Sequence, residues 1–292
     1  MASALVELDH LMIKVDSLDA ATKKFSRMGF DVTPESRIES LGVANRLVLL
    51  WPRRPGVANF LELMSVADPD GVDPTMADVL SADDGIKMIV HLAADIDKFV
   101  AMVRQREEAW VDPIWDIRRE WQSPDGQRET IRFRVTKPVP GGAPFTINAY
   151  QPNVIAQYLQ DRFRQHANGA RHIATVTGVV AAQQFASAVA YFEGLYGIPA
   201  RRDGEGLAAI KPRDVTLRIV TATSFAGLYP EIGPALLRLP RLAAVTIEVS
   251  DLEGVATLLA VNKVSHVLRR QQAGIVVGPD EACGATLEFV SV

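Results

Sequence analysis

The sequence predicts an α+β protein in which four βαβββ modules form two cupped, mixed-sheet domains. The main observation is that one order of hydrophobic patterns, strand–helix–strand–strand–strand, recurs four times along the 292 residues. In addition, 48% of the residues are hydrophobic and 23% are charged, which is typical of a globular protein. At roughly 100–200 residues per domain, a chain of this length fits two domains.

The first module is predicted in residues 1–66. The segment VELDHLMIKV alternates between apolar and polar positions as a strand does. Ser17 is placed to cap the following helix, and Gly29 is placed to end it, because glycine tolerates a positive φ. Apolar runs separated by glycine and proline then predict three more strands: 30–32, 45–51 and 59–66.

The second module is predicted in residues 85–152. GIKMIVHLAADID reads as a strand that ends at Asp95, which has the side chain of a helix cap. Later strands are predicted near Trp115 and in ETIRFRV and APFTINAY. Between the first two of these lies Asp125-Gly126, the strongest hairpin-turn signal in the chain.

The third module is predicted in residues 170–222, with strands in RHIATVTGVV, LAAIKP and VTLRIVTA. The fourth is predicted in 241–292, with strands in LAAVTIEVSDL, AGIVVGP and GATLEFVSV. The modules therefore group into an N-terminal domain, 1–152, and a C-terminal domain, 170–292. Residues 223–240 fit no module, and we expect them to form a helical lid or a link.

A pair of modules predicts a place for a ligand. One βαβββ module cannot bury both faces of its curved sheet, but two side by side form a cup of about eight strands, whose concave face is a natural cavity. Side chains alternate along each strand between the cup and the helix-packed face. We therefore expect a small-molecule ligand, bound by a monomer or a homodimer.

The remaining composition excludes several classes of function. The net charge of −4, without a long basic run, lacks the footprint of a nucleic-acid-binding protein. Cys283 is the single cysteine, and neither a signal peptide nor a 20-residue apolar span is visible, so we expect a cytoplasmic protein. Glycine motifs for nucleotides and the serine-hydrolase elbow are absent from the sequence.

Several segments resemble a known superfamily. LDHLMIKVDSLDAATKKFSRMGF is similar to the opening module of the vicinal oxygen chelate proteins, which include glyoxalases, bleomycin resistance proteins and dioxygenases. LGVAN-RLVL followed by NFLEL, SPDGQRETIRFRV and HANGARHIATVTGVV resemble its glyoxalase-like domain group. The resemblance implies the cupped fold and a bound divalent metal ion, one of Zn, Fe, Ni, Co, Mn and Mg. Alternatively, the protein is a descendant that has lost its ligands and binds no metal.

The resemblance also implies two ligand positions in each module, one early in the first strand and one in the last strand. In module order, these positions hold His10 and Glu62, Met88 and Asn148, His172 and Arg218, and Ala244 and Glu288. The histidines and glutamates of this set are the implied metal ligands: His10, Glu62, His172 and Glu288. Glu62 and Glu288 are also the candidates for a catalytic proton shuttle.

The pairing of modules decides whether these ligands meet. Sequence order favours the pairs one–two and three–four, because successive elements usually pack together. Chemistry favours module one with module four, which would unite His10, Glu62 and Glu288 as a facial triad. Both pairings stay open at the level of sequence.

Other residues are candidates for binding a substrate. Asn45 lies at a family position, while Arg132 and Arg134 share one strand face and are suited to an anionic substrate. Alternatively, these arginines pair with acids on an exposed face. Asn148 and Trp115 complete the predicted set of substrate-binding residues.

Three functions are compatible with these patterns. The leading hypothesis is a metal-dependent isomerase or lyase that acts on a substrate with two adjacent oxygens. The second is a metal-free, resistance-type binding protein, and the third is a scaffold that has lost its ligands. An extradiol dioxygenase ranks below the isomerase or lyase, because no cup is predicted to hold two well-supported histidines.

Overall fold

The computed structural model describes residues 5–105, 114–122, 128–136, 143–152, 161–232, 238–269 and 273–292, apart from the side chains of residues 75, 119–122, 128 and 129. The predicted Asp125-Gly126 turn and residues 233–237 lie outside the described residues. Within the described part of the chain, every helix is too short or too polar to cross a lipid bilayer.

The first two modules form one eight-stranded sheet. Module one contains β1 (Leu5–Lys14), α1 (Leu18–Arg27), β2 (Ser36–Ile38), β3 (Val43–Leu49) and β4 (Phe60–Val66), and α2 (Pro74–Leu80) follows it. Module two contains β5 (Gly85–Ala93), α3 (Ile96–Arg104), β6 (Trp115–Gln122), β7 (Arg128–Val135) and β8 (Thr146–Pro152). The strand order is β2-β3-β4-β1-β5-β8-β7-β6.

The last two modules form a second eight-stranded sheet. Module three contains β9 (Ala170–Val180), α4 (Phe185–Tyr196), β10 (Arg201–Arg202), β11 (Leu207–Ile210) and β12 (Thr216–Thr221), and α5 (Ala222–Leu228) follows it. Module four contains β13 (Arg241–Val249), α6 (Leu252–Val261), β14 (His266–Arg269), β15 (Gly274–Val277) and β16 (Thr286–Ser291). The order β10-β11-β12-β9-β13-β16-β15-β14 repeats that of the first sheet.

The sheets settle the pairing of modules in favour of sequence order. β1 pairs with β5, and β9 pairs with β13, both antiparallel. In every module the first strand lies parallel to the last, as β1 does to β4. The α+β fold of four βαβββ modules in two cupped sheets is therefore confirmed, while the pairing of module one with module four is wrong.

Local signals account for the predicted helix boundaries. The Ser17 side chain accepts a hydrogen bond from the Ala20 amide at 3.3 Å, and that of Asp95 accepts one from the Lys98 amide at 3.1 Å. Gly29 follows α1 with a φ of +85°, in the left-handed region that glycine tolerates. The predicted caps of both helices are confirmed.

Some of the predicted strands are wrong. Residues 30–32 have no strand, and the edge strand of module one is β2, a few residues later. The short edge strands β10 and β14 were also not predicted from the sequence. The edge strands β2, β10 and β14 pair over three, two and four residues, so the alternation of apolar and polar side chains gives only a weak signal in them.

The two sheets pack through their helix-covered faces, so the cups open away from each other. One core cluster joins the outward residues of both sheets, among them Leu11 of β1 and Val176 of β9. Buried polar contacts cross the same boundary, because the His91 ring Nε2 lies 2.8 Å from the Tyr196 hydroxyl. The Asn168 side chain also donates to the Met28 carbonyl at 2.8 Å.

Candidate functional site

The concave face of the first sheet encloses a cavity, which we call the N-terminal cup. It has an empty volume of about 780 Å³, which includes the solvent-filled space of its open mouth. Its apolar lining is rich in methionine and aromatic side chains. The described lining residues are His10, Met12, Ile38, Leu41, Asn45, Leu47, Phe60, Glu62, Met64, Met76, Met88, Val90, Trp115, Ile117, Phe133, Val135, Asn148 and Tyr150.

His10 and Glu62 meet in this cup, as the sequence pattern predicts. β1 and β4 are parallel neighbours in which Met12 lies beside Glu62, so the side chains of His10 and Glu62 project from one face. The His10 Nε2 and Glu62 Oε2 atoms lie 3.8 Å apart, and the two side chains are only 9% and 12% exposed. We call these two atoms the acceptor pair.

Asp9 fixes the orientation of the His10 ring. The Asp9 side chain is fully buried, and its Oδ1 accepts a hydrogen bond from the Ala58 amide at 2.9 Å. Its Oδ2 accepts from the Tyr150 hydroxyl at 2.5 Å and lies 2.9 Å from His10 Nδ1. Because a carboxylate only accepts, Nδ1 carries the hydrogen, and a neutral His10 presents a lone pair at Nε2.

Asn45 fixes the Glu62 carboxylate. The Asn45 Nδ2 atom donates to Glu62 Oε1 at 2.5 Å, which leaves Oε2 directed at His10. With His10 neutral, both atoms of the acceptor pair are hydrogen-bond acceptors, and at 3.8 Å they are too far apart for a direct hydrogen bond. The cup thus combines apolar walls with one small region that requires a donor.

Comparison with known proteins identifies the family. A model of the glyoxalase-like domain matches residues 8–192, which is more than half of the chain. The chain belongs to the glyoxalase-like domain family. This confirms the resemblance to the vicinal oxygen chelate superfamily. A search of curated proteins found no match.

Solved structures share the fold of this glyoxalase-like protein at low sequence identity. A hypothetical protein from Staphylococcus aureus is 13% identical, with a TM-score of 0.66, over 97% of this chain and 98% of that one. A mutant of 4-hydroxymandelate synthase from Streptomyces coelicolor is 12% identical (TM-score 0.58; 100% and 93% covered). Catechol 2,3-dioxygenase is 13% identical (TM-score 0.52; 99% and 94% covered). These likenesses show the fold.

The ligand set of this glyoxalase-like protein does not fit a catalytic metal ion. Such a site generally takes three protein ligands and leaves a position open, but the N-terminal cup supplies the imidazole of His10 and the carboxylate of Glu62. At the matching positions of module two stand Met88 and Asn148. The Asn148 Oδ1 atom already accepts from the Thr136 hydroxyl at 2.5 Å and from the next backbone amide at 2.6 Å. Among the described residues, no group of three or more His, Cys, Asp and Glu side chains is arranged to hold a metal.

Glu288 lies in the other sheet, so the predicted triad with His10 and Glu62 is wrong. It extends from β16 into the concave face of the second sheet, which we call the C-terminal cup. There it accepts hydrogen bonds from Tyr229 at 3.0 Å, Thr246 at 2.8 Å and Arg269 at 3.1 Å. These contacts hold Glu288 in a structural network, and a catalytic role for it finds no support in its surroundings.

The C-terminal cup is filled by the protein itself. Residues of α5 and the segment after it pack onto β9, β12, β13 and β15 and bury apolar side chains, among them Phe225, Tyr229 and Ile232. Tyr229 is 1% exposed, and burial raises the pKa of its hydroxyl to about 12. The described part of residues 223–240 is the link between modules three and four, one of the two predicted alternatives, and it also fills the cup, so we call it the plug.

His172 does not occupy the ligand position of module three. The register pairs Thr177 with Arg218 as it pairs Met12 with Glu62, so Thr175 is the residue that corresponds to His10. His172 lies three residues earlier and faces the other side, where its Nδ1 contacts the Trp51 carbonyl at 3.1 Å. Its prediction as a metal ligand is wrong, and burial lowers the pKa of its ring.

Arg132 and Arg134 do not enter the N-terminal cup. Phe133 and Val135 line the cavity, and alternation along β7 puts the arginines on the opposite face. Arg134 makes a two-pronged contact with Asp97 of α3, at 2.7 and 2.9 Å. The predicted alternative, in which these arginines pair with acids, is confirmed for Arg134. The prediction that Arg132 and Arg134 bind an anionic substrate in the cup is wrong.

The sequence pattern missed two residues that define the site, Asp9 and Tyr150. Asp9 is an acid in the otherwise apolar run LDHLMI, a signal that pointed to a buried partner. Tyr150 shares its face of β8 with Asn148, so alternation alone could have placed it in the cup. Of the predicted substrate-binding residues, the cup contains Asn45, Asn148 and Trp115.

Proposed function

We propose that the N-terminal cup binds a small, mostly apolar molecule and holds its polar head at the acceptor pair of His10 and Glu62. The observation that carries this proposal is a cavity with apolar walls and one fixed polar region. Selective small-molecule sites combine these two features, since the walls provide affinity and the few polar groups provide orientation. The binding needs no metal ion in this scheme.

The lining supports a ligand of aromatic or irregular apolar shape. Four methionines, Met12, Met64, Met76 and Met88, contribute flexible and polarisable walls. Phe60 stacks on the His10 ring at a centroid distance of 4.0 Å and thereby holds the imidazole flat against the wall. Such walls adapt to the ligand, while the acceptor pair stays fixed by Asp9 and Asn45.

The donor set favours this proposal over the metal-dependent isomerase or lyase. An extradiol-type facial triad requires two histidines and one carboxylate. The N-terminal cup brings together one histidine and one carboxylate from the described residues, with Met88 and Asn148 opposite them. A resistance-type binding protein, which we expect in the cytoplasm, needs no such ligand set.

Binding of N-phenyl-1-naphthylamine, whose fluorescence rises in apolar surroundings, tests the proposal in protein treated with EDTA. We expect one saturable site per chain. Met88→Trp and Met76→Trp each fill the cup and should abolish that binding, whereas Val267→Trp on an exposed strand should preserve it. Equal binding by all variants, or no binding by the parent protein, would refute the proposal.

A second candidate function is proton transfer on the bound molecule. The observation that favours it is the buried Asp9 carboxylate, which holds His10 with its Nε2 lone pair toward the cavity, as the orienting acid of a general base does. An isomerase of this kind takes a proton from a carbon next to a carbonyl and returns it. We expect the protein to accelerate the hydrogen–deuterium exchange of phenylacetone in D₂O, and His10→Gln to lose this acceleration. Equal exchange rates with the parent protein and with His10→Gln would exclude this function.

A further inference from the structure

The C-terminal cup provides a comparison for the polar groups of the N-terminal cup. The two sheets have the same topology, and Glu288 lies beside Thr246 as Glu62 lies beside Met12. The two glutamates therefore occupy equivalent positions in modules one and four, although the strand order of the second sheet places β12, with Arg218, where β4 lies in the first sheet. A carboxylate on an otherwise apolar sheet face is costly to bury unless it is paired, so their partners can be compared directly.

Glu288 is paired with a cation and an aromatic residue. The Arg269 Nη1 atom donates to Glu288 Oε1 at 3.1 Å, and both side chains are mostly buried, at 9% and 12% exposed. The Arg269 guanidinium lies over the Tyr229 ring, 4.6 Å from its centroid. Within this cup the protein thus supplies a cationic nitrogen group for the carboxylate and an aromatic body for the apolar walls.

Glu62 is equally buried, but the groups that contact it are the Asn45 amide and the His10 imidazole, where Glu288 has a guanidinium. Its side chain is 12% exposed, and the described lining of the N-terminal cup contains no lysine or arginine. Asn45 donates one neutral hydrogen bond to Oε1, while Oε2 faces the lone pair of His10 Nε2. The region therefore combines a carboxylate with a second acceptor.

We propose that the ligand of the N-terminal cup carries a cationic nitrogen head, such as a primary ammonium or an amidinium group, on an aromatic or apolar body. The proposal rests on the proposed function and names its ligand class. Such a ligand would supply to Glu62 what Arg269 and Tyr229 supply to Glu288.

The spacing of the acceptor pair fits this head group. A nitrogen atom placed about 2.8 Å from both His10 Nε2 and Glu62 Oε2 makes two hydrogen bonds at once, because these atoms are 3.8 Å apart. Ammonium and amidinium groups carry at least two N–H donors, whereas a hydroxyl carries one and a carboxylate carries none. The head group is therefore distinguished from oxygen heads by its count of donors as well as by its charge.

Isothermal titration calorimetry of EDTA-treated protein with three probes of matched body tests the proposal: 4-phenylbutylamine, 4-phenyl-1-butanol and 4-phenylbutyrate. We expect the amine to bind at least about tenfold more tightly than the alcohol, and the carboxylate to bind most weakly, because charge-assisted hydrogen bonds are the stronger ones. Glu62→Gln should weaken amine binding by about 10–100-fold and change alcohol binding by less than about threefold. Glu288→Gln, in the filled cup, is the matched control and should leave both affinities unchanged.

Each result has a separate meaning. If alcohol and amine bind equally, or if Glu62→Gln weakens both alike, the cationic ligand class is wrong while the binding function stands. If none of the probes binds and N-phenyl-1-naphthylamine also fails to bind, the proposed function is wrong. If the amine loses affinity in Glu288→Gln as well, the head group does not lie at Glu62 and the proposal is overturned.

Discussion

The His10 Nε2 and Glu62 Oε2 atoms lie 3.8 Å apart in the N-terminal cup, and both are hydrogen-bond acceptors when His10 is neutral. Asp9 contacts the other ring nitrogen of His10 at 2.9 Å, and Asn45 donates to the other oxygen of Glu62 at 2.5 Å. Across the cup, module two presents Met88 and Asn148 at the positions that correspond to His10 and Glu62. A ligand that donates hydrogen bonds is the chemical complement of this arrangement.

Restoring the ligands of module two should create a metal site. Met88→His with Asn148→Glu places a second imidazole and a second carboxylate at the positions that correspond to His10 and Glu62. We expect the double variant to bind about one equivalent of Zn²⁺ at micromolar protein, since three or four such ligands suffice for zinc, and the parent protein to bind far more weakly. Metal analysis after gel filtration, with Met88→Leu as the control, measures this. Stoichiometric zinc in the parent protein would contradict our account of the donor set.

Asp9→Asn should reverse the hydrogen on the His10 ring. An amide at this position presents N–H to Nδ1, so the hydrogen moves to Nε2, which then donates toward Glu62. We expect the ¹⁵N chemical shifts of the ring to exchange their order, and amine binding to be lost. Since Asp9 accepts three buried hydrogen bonds, unfolding in urea should also show a loss of about 1–3 kcal/mol. Asp97→Asn, on the surface, is the control, and an unchanged tautomer in Asp9→Asn would contradict the orienting role.

The plug of the C-terminal cup should be a stability element. Tyr229→Phe removes the hydrogen bond to Glu288 and should lower the free energy of unfolding by about 1 kcal/mol. Tyr229→Ala also leaves a cavity, and its cost should reach about 3–5 kcal/mol. Urea denaturation measures both, and a second equivalent of bound N-phenyl-1-naphthylamine in Tyr229→Ala would show that the cup has opened. Equal stability of the two variants would contradict the packing role of the ring.

His91 should make the fold sensitive to acid. Burial lowers the pKa of His91 from 6.5 to about 4, so the unfolded chain takes up a proton near pH 6.5 while the folded protein resists it. The contribution of His91 to the free energy of unfolding is therefore constant above pH 6.5. It falls by about 3 kcal/mol as the pH decreases from 6.5 to 4. His166 and His172, whose pKa values burial also lowers, act in the same direction.

Urea unfolding at a series of pH values measures this effect in the parent protein and in His91→Gln. The variant keeps a polar side chain beside Tyr196 and does not titrate, so its stability should depend less on pH in this window. The same slope in both proteins would show that His91 gains its proton as easily in the folded state as in the unfolded one.

The fold and half of the site could be predicted from the sequence, for physical reasons that particular residues show. Glu62 lies between Leu61 and Leu63, so its side chain was expected to face either water or a cavity. The cap at Ser17 marks the start of α1 and therefore limits β1 to the residues before it. The prediction that His172 is a ligand was wrong because it was placed near the start of an 11-residue strand. An error of three residues along a strand turns a side chain to the other face of the sheet.

Other features depend on tertiary contacts that leave no periodic signal. The plug around Tyr229 comes from a segment between modules, and Asp9 became important through Ala58 and Tyr150, which are distant in the sequence. The direction of Arg134 depended on the register of β7, which alternation alone could assign to either face.

A crystal structure of EDTA-treated protein grown with 4-phenylbutylamine tests the central claim most directly. We expect the amine nitrogen to lie within hydrogen-bonding distance of both His10 Nε2 and Glu62 Oε2, with the phenyl ring among the methionines of the N-terminal cup. An amine bound elsewhere while this cup stays free of it, or a tightly retained metal ion between His10 and Glu62, would contradict the account.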